Sequence, residues 1–155
     1  MARKKRVLFV CTGASCRSQI AAGWAGRLAG EHLEAFAAGT DPKGLNPGAV
    51  AVMREVGVDI SHSRSASVHE FLEVNTPDFV IAVCSEAGRN CPDFPSTTPT
   101  LRWSFDDPAA FDGSQAQAEA LFRRVRDEIR ERVSRWIITE FGVMPFHPLP
   151  SERTA

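Results

Sequence analysis

Val7-Leu8-Phe9-Val10-Cys11-Thr12-Gly13-Ala14-Ser15-Cys16-Arg17-Ser18-Gln19-Ile20 changes its hydrophobic pattern at Cys11. The apolar run 7–10, with charges before it and Thr12-Gly13 after it, reads as a strand buried on both faces. From Ser18 the pattern changes: Ile20, Trp24 and Leu28 fall four apart among alanines, which predicts an amphipathic helix stopping near Gly30. A short loop therefore joins a buried strand to a helix N-terminus.

The same strand character returns at 79–83, again ending in a cysteine, Cys84. Residues 33–38 and 101–105 are expected as further strands. Pro47 opens a helical stretch with Val50, Met53 and Val56 on one face and Gly57 at its C-terminal cap; a short helix is expected at 68–74. A Pro-rich loop runs through Pro92, Pro95 and Pro99, and Asp106-Asp107-Pro108 forms a turn. The last helix carries a ladder of Leu121, Val125, Ile129, Val133 and Ile137, and places Arg123, Arg124, Arg126 and Arg130 on a solvated face. Short buried strands alternating with helices predict an α/β fold, a parallel sheet with helices on both faces. Ligands in such sheets bind beyond the carboxyl ends of the strands, where Cys11, Cys84 and Asp107 all fall.

The chain has 155 residues, 43% hydrophobic and 24% charged, which argues for one core and excludes disorder. We expect a single catalytic domain over 1–142 and an irregular tail over 143–155. No apolar run approaches the roughly 18 residues that cross a bilayer, so no membrane association is expected. Eighteen Lys and Arg against nineteen Asp and Glu leave a net charge of -1, which argues against a nucleic-acid partner. The basic start at 3–6 precedes an apolar stretch too short for a signal peptide, so a cytoplasmic protein is expected. Four cysteines (Cys11, Cys16, Cys84, Cys91) in a chain of this size read as thiols with chemistry rather than a secreted disulfide framework.

A loop wound before a helix N-terminus turns backbone N–H groups inward, where the helix adds partial positive charge. Thr12, Gly13, Ala14, Ser15, Cys16 and Arg17 would line a hollow suited to a tetrahedral oxyanion. Arg17 would close it with paired planar donors. The same field favours a thiolate at Cys11, since helix N-termini and cations lower a thiol pKa from about 8.5 into the ~3.5–7.5 range. A nucleophile would then sit beneath a bound anion.

This loop resembles that of the low-molecular-weight protein tyrosine phosphatases and of the thioredoxin-coupled arsenate reductases built on the same fold. The resemblance spans roughly residues 6 to 140. It includes Ser18-Gln19-Ile20-Ala21 with Gly23-Trp24, Cys84-Ser85 through Cys91-Pro92, and Trp103 through Phe105-Asp106-Asp107-Pro108. It implies a four-stranded parallel sheet flanked by helices on both faces, and Asp107 as general acid, with Asp106 a neighbour or cap. The catalytic set so implied is Cys11, Arg17, Ser18, Cys84, Cys91 and Asp107. A phosphatase needs one thiolate and water, whereas reducing As(V) to As(III) takes two electrons from thiols, which Cys84 and Cys91 would supply. In the implied reaction Cys11 attacks arsenate and Asp107 helps water leave. Cys84 then attacks Cys11, releasing arsenite, and Cys91 attacks Cys84 in turn. The product is a Cys84–Cys91 disulfide.

A helix rising about 1.5 Å per residue would hold Cys84 and Cys91 about 10 Å apart, whereas a disulfide needs Cα atoms within ~7 Å. Oxidation is therefore expected to rearrange residues 84–92. The chain has no Cys-x-x-Cys and no Gly-rich dinucleotide fingerprint, so no bound cofactor is expected and an external dithiol, thioredoxin, is implied. The partners are then arsenate and thioredoxin, with the chain itself a monomer.

Two positions depart from the family pattern. Ala14 stands where family members carry Asn, which leaves the loop less preorganised. Ala22 stands where some reductases have a potassium-binding Glu, so neither potassium nor any other metal is expected. A low-molecular-weight protein tyrosine phosphatase is the alternative enzyme, although Ala109-Ala110-Phe111 supplies a thin aromatic wall and the chain has no Tyr. A zinc module fits poorly, because four residues separate Cys11 from Cys16 and six separate Cys84 from Cys91. An oxyanion sensor without turnover is a third possibility, prompted by Ala14.

Overall fold

The computed structural model describes residues 3–13, 15–84, 98 and 100–145, with Cys84 described by its backbone alone. The strands are β1 (Lys5–Cys11), β2 (Leu33–Gly39), β3 (Ala66–Ser67), β4 (Phe79–Cys84) and β5 (Thr100–Ser104). The helices are α1 (Arg17–Ala29), α2 (Pro47–Glu55), α3 (Val68–Val74) and α4 (Gln115–Phe141), with a 3-10 turn at Pro108–Ala110. All strand pairs are parallel, in the order β3-β2-β1-β4-β5. β1 is central because its run has no polar face to give to water. Val7, Phe9 and Cys11 join the core shared with α1, α2 and α4, while Leu8 and Val10 join the second core, beneath α3. Helices thus cover both faces.

The expected four strands become five. The extra one, β3, is two residues long and pairs Ala38 with Ala66 and Gly39 with Ser67 at the end of β2. Two residues are too few for a period-two pattern to register. β3 leads straight into α3, whose N-terminus is capped by the Ser67 hydroxyl accepting from the His69 and Glu70 amides.

α4 begins with a reciprocal cap: the Ser114 hydroxyl accepts from Gln117 N and the Gln117 side chain accepts from Ser114 N. It ends at Gly142, whose φ of 65° is a left-handed stop that glycine adopts without strain. Val125, Ile129, Val133 and Ile137 are fully buried, each contributing about 1.5–3 kcal/mol on transfer from water. Leu121 packs at the edge of this core.

Arg126 departs from the solvated face expected for it and is buried. Its guanidinium donates to the Val52 carbonyl at 3.0 Å and to Glu55 at 2.9 Å on α2, and to Asp127 at 2.8 Å. A buried charge is tolerable when so paired. The Glu55 carboxyl, which also takes a two-pronged contact from Arg123, is held below the usual carboxylate range by that arginine first and by Arg126 second. The Pro-rich loop through Pro92, Pro95 and Pro99, and the chain from 146 onward, lie outside the described residues. No described helix is long and apolar enough to cross a membrane.

Candidate functional site

β1 delivers Cys11 to the carboxyl edge of the sheet, where it is 5% exposed, and the following loop is held from outside through its carbonyls. Asp41 N donates to Thr12 O at 2.9 Å, Lys43 N to Gly13 O at 2.8 Å and Asn46 N to Ser15 O at 2.9 Å. The segment after β2 is thus a clamp on the loop's outer side. In a trans peptide the carbonyl and the next N–H point opposite ways, and the described residues contain no cis bond. Outward carbonyls at Thr12 and Ser15 therefore turn the N–H groups of Gly13 and Cys16 inward.

α1 starts immediately behind. Its N-cap, Cys16, makes no side-chain cap bond, and its first turn holds no acid. The positive end of the helix is consequently not neutralised by its own side chains. Ser18, on that turn, is fully buried, and its Oγ lies 3.0 Å from Cys11 Sγ, with either atom able to donate. Arg17 is also buried. It donates to the Phe105 carbonyl at 3.2 Å and lies 3.6 Å from the Asp107 carboxylate.

Asp107 caps the 3-10 turn by accepting from Ala109 N at 3.1 Å, and is about one-third exposed. Its neighbour Asp106 faces the other way: Arg124 of α4 donates to it at 2.7 Å. The two adjacent carboxylates thus have separate duties, with Asp107 toward Arg17 and Asp106 toward α4. The cap is Asp107, not Asp106.

Cys16 is a buried thiol beside these charges. Burial first, and the Asp107 charge second, push it well above the ordinary thiol range, against the pull of Arg17. It stays a neutral thiol and offers the loop its backbone N–H.

Thr12, Gly13, Ser15, Cys16, Arg17, Ser18 and Asp107 are therefore gathered around Cys11. Ala14 and Cys91 lie outside the described residues, as does the segment 85–92 in which a redox rearrangement was expected. The backbone of Cys84 ends β4, the neighbour of β1, and Val10 pairs with Ala82. Extending that register puts the main chain of residue 84 one residue beyond the level of Cys11 on the adjacent strand. From strand spacing and rise, that is about 6 Å. Sequence reasoning missed the outer clamp and Arg124. The clamp acts through backbone amides, which carry no side-chain signal, and Arg124 sits in a run of arginines.

The low molecular weight phosphotyrosine protein phosphatase family model matches residues 6–142. The chain belongs to that family. Among curated relatives, this family member is 43% identical over 136 residues to an arsenate reductase of Bacillus licheniformis, covering 88% of this chain and 97% of that protein. An arsenate reductase of Bacillus subtilis is 42% identical over 135 residues, covering 87% and 96%. A solved structure described as an arsenate reductase in the phosphate binding state superposes with a TM-score of 0.73 at 34% identity, covering 87% of this chain and 98% of that one. For this phosphatase-family member, a buried sulfur beneath inward amides, with an arginine and a carboxylic acid at the rim, is equipped for nucleophilic attack on a tetrahedral oxyanion.

Proposed function

We propose that the protein is an arsenate reductase that draws its electrons from an external dithiol. The observation that carries this reading is the pairing of two cysteine-terminated strands: Cys11 ends β1 and Cys84 ends the adjacent β4. Main chains about 6 Å apart lie within the Cα span of a disulfide, and the one-residue stagger, which puts positions 11 and 84 on opposite faces of the pleat, requires the end of β4 to turn for the bond to form. The identity to arsenate reductases over most of the chain supports the same substrate.

Cys11 attacks arsenic while Asp107 protonates the departing hydroxyl, which leaves as water, giving a covalent thiol–arsenate adduct. Arg17 and the inward amides hold the remaining oxygens. The Cys84 sulfur then attacks Cys11 Sγ, and the electron pair of the S–As bond stays on arsenic, which leaves as arsenite. Two thiols have become one Cys11–Cys84 disulfide, matching the two electrons gained by arsenic. Cys91 displaces Cys11 from Cys84, restoring Cys11 and leaving Cys84–Cys91 for a dithiol of the thioredoxin class to reduce.

The test supplies arsenate, thioredoxin, thioredoxin reductase and NADPH, and measures arsenite. Steady turnover is expected in the wild type and is lost in each of Cys11→Ser, Cys84→Ser and Cys91→Ser. Loss in Cys11→Ser alone would reject the disulfide relay. A weak phosphatase side activity is a second reading, favoured by the family assignment. Hydrolysis of an aryl phosphate should then vanish in Cys11→Ser and persist in Cys84→Ser and Cys91→Ser.

A further inference from the structure

β3 places Ser65 against the outer wall of the Cys11 loop. Ser65 immediately precedes the β3 pairing with β2. The Gln19 side chain of α1 also donates to the Arg64 carbonyl at 3.0 Å, so the backbone is tethered on both sides of the 64–65 bond. From that position the Ser65 hydroxyl donates to Gly13 O at 3.3 Å and accepts from Gly44 N at 3.2 Å. Gly44 has a φ of 87°, a conformation that favours glycine, and it follows Lys43, whose N–H is the other donor to Gly13 O at 2.8 Å. Ser65 thus joins three separate segments at one carbonyl: the loop, the clamp after β2, and β3.

We propose that Ser65 is a positioning residue for the oxyanion loop, holding the Gly13 carbonyl away from the bound anion. This rests on the reading of the loop as an oxyanion site. The carbonyl matters because an oxygen turned inward would set its negative end against the substrate, while an oxygen tied outward leaves the cup to donors. Residue 14, next along, is alanine, which has no side-chain polar group to brace the loop from within. The bracing then comes from outside, and Ser65 is its side-chain component. Both hydroxyl contacts are long for hydrogen bonds, so the effect is modest.

The experiment measures the dissociation constant of inorganic phosphate by calorimetry, with the melting temperature of the anion-free protein alongside. Ser65→Ala is expected to weaken phosphate roughly three- to tenfold, the range of one ordinary hydrogen bond. Ser65→Thr, which keeps the hydroxyl, should stay close to the wild type. Should Ser65→Ala fold poorly, the isosteric pair Ser65→Thr and Ser65→Val carries the same comparison. A serine that only supports the fold would lower the melting temperature and leave phosphate affinity unchanged. Equal affinity in wild type and Ser65→Ala, or in the Thr and Val variants, overturns the proposal while leaving the oxyanion site standing. A wild type that binds no phosphate overturns both.

Discussion

The Ser18 hydroxyl lies 3.0 Å from the Cys11 sulfur, with Ser18 fully buried and Cys11 exposed by only 5%. In that setting the hydroxyl is a donor to sulfur whenever sulfur carries charge, and a hydrogen bond to an ionised group stabilises it by about 1.5–3 kcal/mol. Ser18→Ala should therefore slow alkylation of Cys11 by iodoacetamide at neutral pH by about tenfold or more, with a parallel loss of arsenate turnover. Alkylation at the wild-type rate would remove Ser18 from the site.

Asp107 pulls on Arg17 from 3.6 Å, so the general acid proposed above would also compete with a bound anion for the guanidinium. Replacing it separates the two effects. In Asp107→Asn, turnover should fall about a hundredfold, the scale of a lost general acid, while phosphate binds as well as in the wild type or more tightly. Weakened phosphate binding with unchanged turnover would contradict the assignment.

Arg124 reaches the same turn from α4 through Asp106 at 2.7 Å and also engages Glu128 at 3.0 Å. Exposed pairs of this kind contribute up to about 1 kcal/mol. Arg124→Gln should lower turnover by up to roughly fivefold through a looser Asp107, leave phosphate affinity alone, and be mimicked in the wild type by raising ionic strength. Asp106→Asn should add little on top of Arg124→Gln in a double-mutant cycle, and full additivity would show that the two act independently.

Asp78 fastens the entry of β1 to β4 in both directions: its carboxylate accepts from Arg6 N at 2.8 Å, and its own N–H donates to the Arg6 carbonyl at 2.8 Å. The Arg6 amide, followed by the charges of Arg3 and Lys5, holds the carboxyl below its ordinary range. A carboxyl lowered in the folded state stabilises the fold above its unfolded value of about 4, and that contribution is lost as the pH falls through the folded value. Asp78→Ala should cost about 1 kcal/mol at neutral pH, with the gap to wild type closing in strong acid. Urea unfolding at pH 7 and at pH 2 to 3 measures it; a gap of the same size at both would refute the linkage.

β1 and α1 were legible because the hydrophobic period switches at Cys11 within a few residues, and the loop between them is contiguous in the chain. β3 was not, since two residues carry no periodicity. Nor was the burial of Arg126, whose neighbours Arg123 and Arg124 look the same in the chain; what distinguishes it is the Val52 carbonyl and Glu55 waiting on α2. At the site, Asp107 could be marked from its place before Pro108 and the family resemblance. Which of Asp106 and Asp107 faces Arg17 was decided by tertiary contacts to Arg17 and Arg124.

The grip of residues 41, 43 and 46 on the Cys11 loop is made by main-chain amides. Any amino acid but proline supplies that amide. That grip therefore places no demand on the side chains at 41 and 43, and a change of charge there leaves the main-chain hold on the loop as it is.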